Sequence, residues 1–152
     1  MRYRLIAIGQ LRRGFYAEGC AFYAKRLKRY CTLELSELRE VKATTPDAVR
    51  EQESALLLKA ASGYLVCLDE TGARFSSRKL AAHLTELELK GVSQLSLIIG
   101  GAEGLSAQLK AEARECWALS EFTFPHELAR LVLLEQLYRA ETIRAGHPYH
   151  RG

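Results

Sequence analysis

Leu95-Ser96-Leu97-Ile98-Ile99-Gly100-Gly101-Ala102-Glu103-Gly104 is the stretch that decides the fold of this chain. Its first five residues are a short apolar run, which reads as a strand of a parallel sheet buried on both faces. The glycines follow at once, so they sit at the strand's carboxyl end, where open α/β sheets keep their ligands. Glycine lets a ligand approach the backbone closely, and the amides at the start of the next helix are free to donate hydrogen bonds. On these residues alone the turn is either the floor of a small-molecule pocket or a structural turn.

Outward from that strand the chain alternates. Tyr3 to Ile8 reads as a strand ending at Gly9, Phe15 to Tyr30 as a helix, and Thr32 to Leu38 as a strand with one exposed face. Thr45-Pro46-Asp47 has the three features of a helix start: a hydroxyl cap, proline in the first turn and a carboxylate near the positive end of the dipole. That helix is expected to reach about Ala61 and stop near Gly63. Tyr64 to Leu68 is a short buried strand, and Asp69-Glu70-Thr71-Gly72 is expected to turn away from its end. Ser76 or Ser77 caps a helix through Leu89, closed by Gly91. After the glycine turn come a helix from Ser106 to Glu115, a short strand at Trp117-Ala118-Leu119 and a last helix from Glu127 to Ala145. Such an order predicts an α/β fold with a mostly parallel sheet and helices on both faces. No repeat or linker interrupts it, so residues 1–152 form one expected domain, with Arg39 to Thr44 as the flexible loop.

Composition narrows the class. The chain is 48% hydrophobic and 26% charged without low-complexity tracts, which fits a soluble globular protein. At 152 residues it is long enough to bury an ordinary core without metal or disulfide staples. Met1 to Ile8 lacks the pattern of a secretory leader and no apolar run approaches the roughly 20 residues of a membrane helix, so a cytoplasmic protein with no membrane partner is expected. Cys20, Cys31, Cys67 and Cys116 show no metal or redox spacing and read as free thiols. The histidines His126, His147 and His150 lack the helical spacing of a ligand set, so no metal site is expected, and His83 reads as a surface residue. There is no glycine-rich dinucleotide fingerprint, no phosphate-binding P-loop and no serine-nucleophile motif.

The net charge of +4 is unevenly spread. Arg12, Arg13, Lys25, Arg26, Lys28 and Arg29 crowd the first helix, and Arg139, Arg144 and Arg151 lie near the end with His147 and His150. Clusters of this kind contact phosphates, or are simply the solvated face of a helix.

Three segments together carry a resemblance: LIIGGAEGLS (97–106), LSEFTFPHELARLVLLEQLYRAETI (119–143) and GHPYHRG (146–152). They are similar to the SPOUT methyltransferases, and within these to the small bacterial enzymes that methylate N3 of a pseudouridine in 23S ribosomal RNA. One departure is Ala102, where the family often has proline. The resemblance implies a fold with a carboxy-terminal trefoil knot, which ordinary connectivity rules would argue against. It implies S-adenosylmethionine as cofactor, held by Leu68, Gly100, Gly101 and the stretch Leu119, Ser120, Glu121, Phe122, Thr123 and Phe124. Gly104 shapes the turn.

Such a reaction is an in-line displacement, so the protein must align the nucleophilic nitrogen with the methyl group and help it lose its proton. A uracil-type N3–H is mostly protonated at neutral pH, so a histidine, a carboxylate or a nearby arginine would assist. His126, Arg130, Arg139, Tyr149 and His150 are the candidates, and His126 reads equally as a hydrogen-bonding residue of a helix start. The resemblance further implies a homodimer built around the last helix, acting on 23S rRNA in the assembled ribosome. That helix carries Leu128, Leu131, Val132, Leu133, Leu134, Leu137, Tyr138 and Ile143, far more than one apolar stripe. Either a second subunit covers it, with the tail 146–152 reaching the neighbour's pocket, or it is buried within one chain.

Overall fold

A computed structural model describes residues 1–151. The elements are β1 (Arg2–Ile8), α1 (Gly14–Leu27), β2 (Thr32–Leu38), α2 (Pro46–Ala60), β3 (Tyr64–Ala73), α3 (Ser77–Leu89), β4 (Gln94–Ile99), α4 (Ala107–Glu112), β5 (Glu115–Trp117) and α5 (His126–Arg144). A 3₁₀ turn, Pro148–Arg151, follows. The five strands form one sheet in the order β2-β1-β4-β3-β5 and every pairing is parallel.

The helix starts obey local chemistry. Thr45 Oγ1 accepts from the Ala48 amide at 3.1 Å, Ser76 Oγ from Lys79 at 3.2 Å and Ser106 Oγ from Leu109 at 3.1 Å, each satisfying an amide the helix leaves free.

Alternation along the strands divides the core into two layers. Tyr3, Leu5, Ala7, Leu95, Leu97, Ile99 and Val66 face α1, α3 and α5. Ile6, Ile8, Ile98 and Cys67 face the other way, toward Leu57 of α2 and Leu105 and Leu109 of the α4 side. Connections that step toward β2 (through α1 and α3) therefore run on one face, and those that step toward β5 (through α2 and α4) on the other. This is the pattern a uniformly right-handed crossover requires. The chains leaving β3 and β4 consequently diverge to opposite faces, which opens a crevice between their carboxyl ends.

Three readings from the sequence are corrected. Asp69 to Gly72 do not end β3: Leu68 and Ala73 both pair with Trp117, and the four residues between bulge out before the strand resumes. Gly72 permits the return, because a Cβ there would lie 2.5 Å from the Cys116 carbonyl. The last strand lies two residues earlier than expected, at Glu115–Trp117. His83 is half-buried rather than a surface residue, stacked on Phe75 with ring centroids 5.1 Å apart and 2.7 Å from Glu115 Oε1.

No residue of α5 is exposed. Leu133, Leu134, Leu137 and Ala140 pack between α1 and α3, and the approach to α1 is close enough that a Cβ on Gly19 would meet Leu131 at 2.8 Å. Polar contacts complete the seam: the Tyr3 hydroxyl donates to Glu141 at 2.6 Å, and Arg144 bridges Glu141 and Glu88.

Candidate functional site

The crevice at the carboxyl ends of β3, β4 and β5 widens into a cleft of about 660 Å³, within the range of small-molecule sites. Three segments build it. Leu68 to Glu70 come from the β3 bulge, Ile99 to Leu105 from the glycine turn, and Trp117 to Ala129 from the connection into α5. Of the residues expected to hold the cofactor, Leu68, Gly100, Gly101, Leu119, Ser120, Phe122, Thr123 and Phe124 line this one cleft. Glu121 does not: it is exposed and pairs with Arg74 at 2.5 Å.

The turn is held from below. Gly104 adopts φ +77°, the left-handed region open to glycine, and its amide donates to the Gly101 carbonyl at 3.1 Å. A Cβ on Gly100 would meet Leu105 at 2.9 Å, and one on Gly101 would meet Glu53 Oε1 at 2.9 Å and Ile8 at 3.1 Å. Both positions exclude a side chain because the turn lies tight against the protein body. The Ser54 hydroxyl accepts the Ser106 amide at 2.9 Å, so α2 supports both ends of the segment.

Polar groups around the cleft are dominated by carboxylates. Asp69, Glu70, Glu103 and Glu127 line it, and among the described residues no lysine or arginine does. Burial pushes the Asp69 carboxyl up, but hydrogen bonds from the Thr71 hydroxyl and amide and the charge of Lys110 outweigh it and hold the group below the ordinary aspartate range. Glu70 accepts from the Thr123 hydroxyl at 3.2 Å, which ties the β3 bulge to the segment entering α5. Apolar walls from Leu68, Leu119, Trp117 and Phe124, beside backbone groups and carboxylates, suit a flat heterocycle bearing hydroxyls and a positive charge. S-adenosylmethionine has this chemistry, so the residues present fit it.

The expected proton-handling residues fall into three places. His126 opens α5 on the cleft wall, its Nε2 2.7 Å from Glu127 Oε1. Arg130, one turn later, is buried away from the cleft: it pairs with Glu37, donates to the Gly9 carbonyl at 3.1 Å and faces a separate cavity of about 240 Å³ under α1. Arg139, Tyr149 and His150 lie at the far end of α5, about 20 Å along its axis from His126 at 1.5 Å per residue. There Glu135 accepts from Arg139 Nε at 2.9 Å and from the Tyr149 hydroxyl at 3.1 Å, with the Arg139 guanidinium 5.0 Å from the Tyr149 ring centre. Burial, with the Tyr23 hydroxyl and the Glu135 carboxylate adding to it, pushes the Tyr149 phenol well above its ordinary value, so it stands as a hydrogen-bond donor. His150 Nδ1 lies 3.1 Å from the His147 carbonyl.

Several cleft groups escaped the sequence reading. In the sequence Asp69, Glu70 and Glu103 read as turn residues, where acidic side chains are ordinary. Glu53 left a clearer trace: it lies between Val49 and Leu57 at four-residue spacing, a carboxylate on the apolar stripe of α2, where a charge calls for a reason. Among the described residues no cluster of histidine, cysteine and carboxylate side chains could hold a metal ion, and no helix is long and apolar enough to cross a membrane.

Comparison with known proteins supplies the lineage. A family described as "Predicted SPOUT methyltransferase" matches residues 1–150. The chain is 44% identical over 154 residues to "Ribosomal RNA large subunit methyltransferase H" of Gloeobacter violaceus and 43% identical over 153 residues to the protein of the same name from Deinococcus radiodurans, each alignment covering 100% of both chains. Among solved structures, a probable methylase family protein from Haemophilus influenzae aligns over 97% of this chain and 69% of its own with a TM-score of 0.57 at 10% identity. A putative methyltransferase from Legionella pneumophila, solved with bound SAM, aligns over 90% of this chain and 65% of its own with a TM-score of 0.50 at 14% identity. These two likenesses bear on the fold, while the sequence matches run essentially end to end and include every segment of the cleft. The chain belongs to the SPOUT methyltransferase family.

Proposed function

We propose that this chain is an S-adenosylmethionine-dependent methyltransferase that modifies N3 of a pseudouridine in 23S ribosomal RNA, working as a homodimer on the assembled ribosome. The observation that carries the reading is the meeting of two of the three resembling segments at one cleft: the glycine turn and the connection from Leu119 into α5 line it together, and the full-length relatives are named for methylation of large-subunit ribosomal RNA.

The cofactor supplies an electrophilic methyl group on a sulfonium. This chain's part is to grip and align. Leu68, Leu119 and Phe124 would flank the heterocycle, and backbone groups from Gly100, Gly101, Leu119, Ser120 and Phe122 to Phe124, which line the cleft, would bond its edges and the ribose. The cleft carboxylates favour the positive charge. His126 stands at the mouth, placed to accept or orient the N3 proton, and Arg130 fixes the start of α5 by holding Glu37 and Gly9. Return of the chain from edge strand β5 to a helix lodged between α1 and α3, past the β3 bulge, is the path that a trefoil knot of the family kind would use.

Dimerisation is part of the proposal. Phe15 and Phe22, 69% and 48% exposed, lie seven residues apart on one side of α1, beside half-buried Leu128, Leu131 and Val132 of α5. A twofold axis across this face sets one α5 antiparallel to the other, which carries the partner's Arg139, Tyr149 and His150 toward the cleft mouth that they miss within their own chain.

The test is incubation of ribosomes with methyl-labelled S-adenosylmethionine and nucleoside mass analysis of the 23S rRNA. N3-methylpseudouridine is the expected product. No label, with the protein folded and S-adenosylhomocysteine failing to bind in calorimetry, would overturn the reading.

A further inference from the structure

The cleft mouth is acidic, and a phosphodiester chain meets repulsion there unless cations stand beside it. The loop between β2 and α2, residues 39–45, supplies them. It leaves the carboxyl end of β2, so it emerges at the same end of the parallel sheet as the cleft, and Gly9 lies between the two: a Cβ on Gly9 would be 3.4 Å from Glu40 Oε1 and 3.9 Å from His126 Nε2. Arg39 and Lys42 on this loop are exposed, and neither has an ion-pair or hydrogen-bond partner among the described residues. By contrast Arg130, Arg139 and Arg144 are each engaged by a glutamate.

The loop is also tethered. The Val41 amide donates to Glu53 Oε2 at 3.0 Å, and Glu53, only 2% exposed, keeps Oε1 without a partner directly under Gly101. A carboxylate oxygen is costly to bury unpaired. Here one side chain touches both the loop that borders His126 and the turn that forms the cleft floor.

We propose that the 39–45 loop is an RNA-gripping arm. Arg39 and Lys42 contact phosphates of the nucleotides flanking the target base, and Glu53 sets the arm's distance from the cofactor turn. A loop already held in place loses little freedom on binding, so its charges act with small ordering cost. The assignment rests on the ribosomal RNA reading above and names the surface by which that substrate is held.

The experiment uses the full-length protein carrying Arg39→Gln and Lys42→Gln together. Ribosome binding and methyl transfer are measured across a salt series, with calorimetry for S-adenosylhomocysteine. The expected result is unchanged affinity for S-adenosylhomocysteine, kcat within about twofold of wild type, and KM for ribosomes raised about tenfold near physiological salt. The slope of log Kd against log salt should shrink by about 1.4, as loss of two single-strand phosphate contacts requires. Arg39→Lys with Lys42→Arg should restore it. An unchanged KM and slope in the double variant would overturn the arm. A wild-type protein that binds ribosomes with the full slope, lowered in the variant, yet transfers no methyl group would keep the arm and overturn the methylation reading instead.

Discussion

Gly101 has no room for a side chain on the side away from the cleft. Sequence reading placed this glycine at a site of close ligand approach, whereas the crowding it relieves is with Glu53 and Ile8 beneath the turn. The position was legible, since a glycine pair after a buried strand marks the spot, but the packing partner was not, because Glu53 is 48 residues away in the chain. Gly101→Ala should therefore act through the floor of the turn, costing about 1–3 kcal/mol of stability as overpacking does and weakening S-adenosylhomocysteine binding by displacing the backbone. Glu53→Ala removes the obstructing oxygen, so the double variant should be more stable than the sum of the single losses predicts, with a coupling of order 1 kcal/mol. Denaturant unfolding of the four proteins, with calorimetry alongside, measures it; strictly additive losses would show that the two residues do not meet.

At the scale of elements, most of the fold could be read from local signals. Thr45-Pro46, Ser76 and Ser106 each start the helix that their side chain caps, and the apolar runs of β1 and β4 mark the central strands. The β3–β5 edge was harder, because its logic is non-local. Gly72 reads as a turn residue until one sees β5 pressed against it, and Glu115 reads as the end of a helix until its partners appear. Glu115 Oε1 accepts from the Trp117 indole at 2.9 Å and lies 2.7 Å from His83, while Oε2 accepts from the Tyr64 hydroxyl at 2.6 Å. Burial raises the pKa of this carboxyl, but the three hydrogen bonds together outweigh it and hold the group below the ordinary glutamate value of 4.5. The folded state thus binds the proton less readily than the unfolded chain. The network's contribution is complete above pH 4.5 and is lost as pH falls through the depressed folded value. Melting temperatures taken from neutral pH down to about 3.5 should fall less steeply for Glu115→Gln than for wild type; parallel acid limbs would remove Glu115 from the account.

The whole molecule places its two sets of candidate residues at opposite ends of one helix, a separation legible in the sequence because the expected helix from Glu127 to Ala145 lies between His126 and Tyr149. What the sequence did not show is which groups meet each end, since Glu37, Gly9 and Tyr23 come from distant parts of the chain. Because α1 lies beside α5 and runs the same way, with Tyr23 and Tyr30 against Tyr138, the far end also collects the basic residues Lys25, Lys28 and Arg29. An active site assembled from both ends needs two chains. The twofold arrangement proposed above then makes a sharp prediction, since each site would take His126 from one subunit and Arg139 with Tyr149 from the other. His126→Ala and Arg139→Ala homodimers should each bind S-adenosylhomocysteine near the wild-type level yet transfer methyl slowly. Mixed and allowed to exchange subunits, half the dimers are heterodimers, and in each of these one of the two sites receives both mutations and the other neither. Activity should rise to about a quarter of wild type from the intact sites. If both groups instead served a site within their own chain, every site in the mixture would carry one defect and mixing would restore nothing. Subunit exchange followed by size-exclusion and transfer assays distinguishes the two, and a mixture no more active than its parents would place the tail outside the chemistry of the neighbouring cleft.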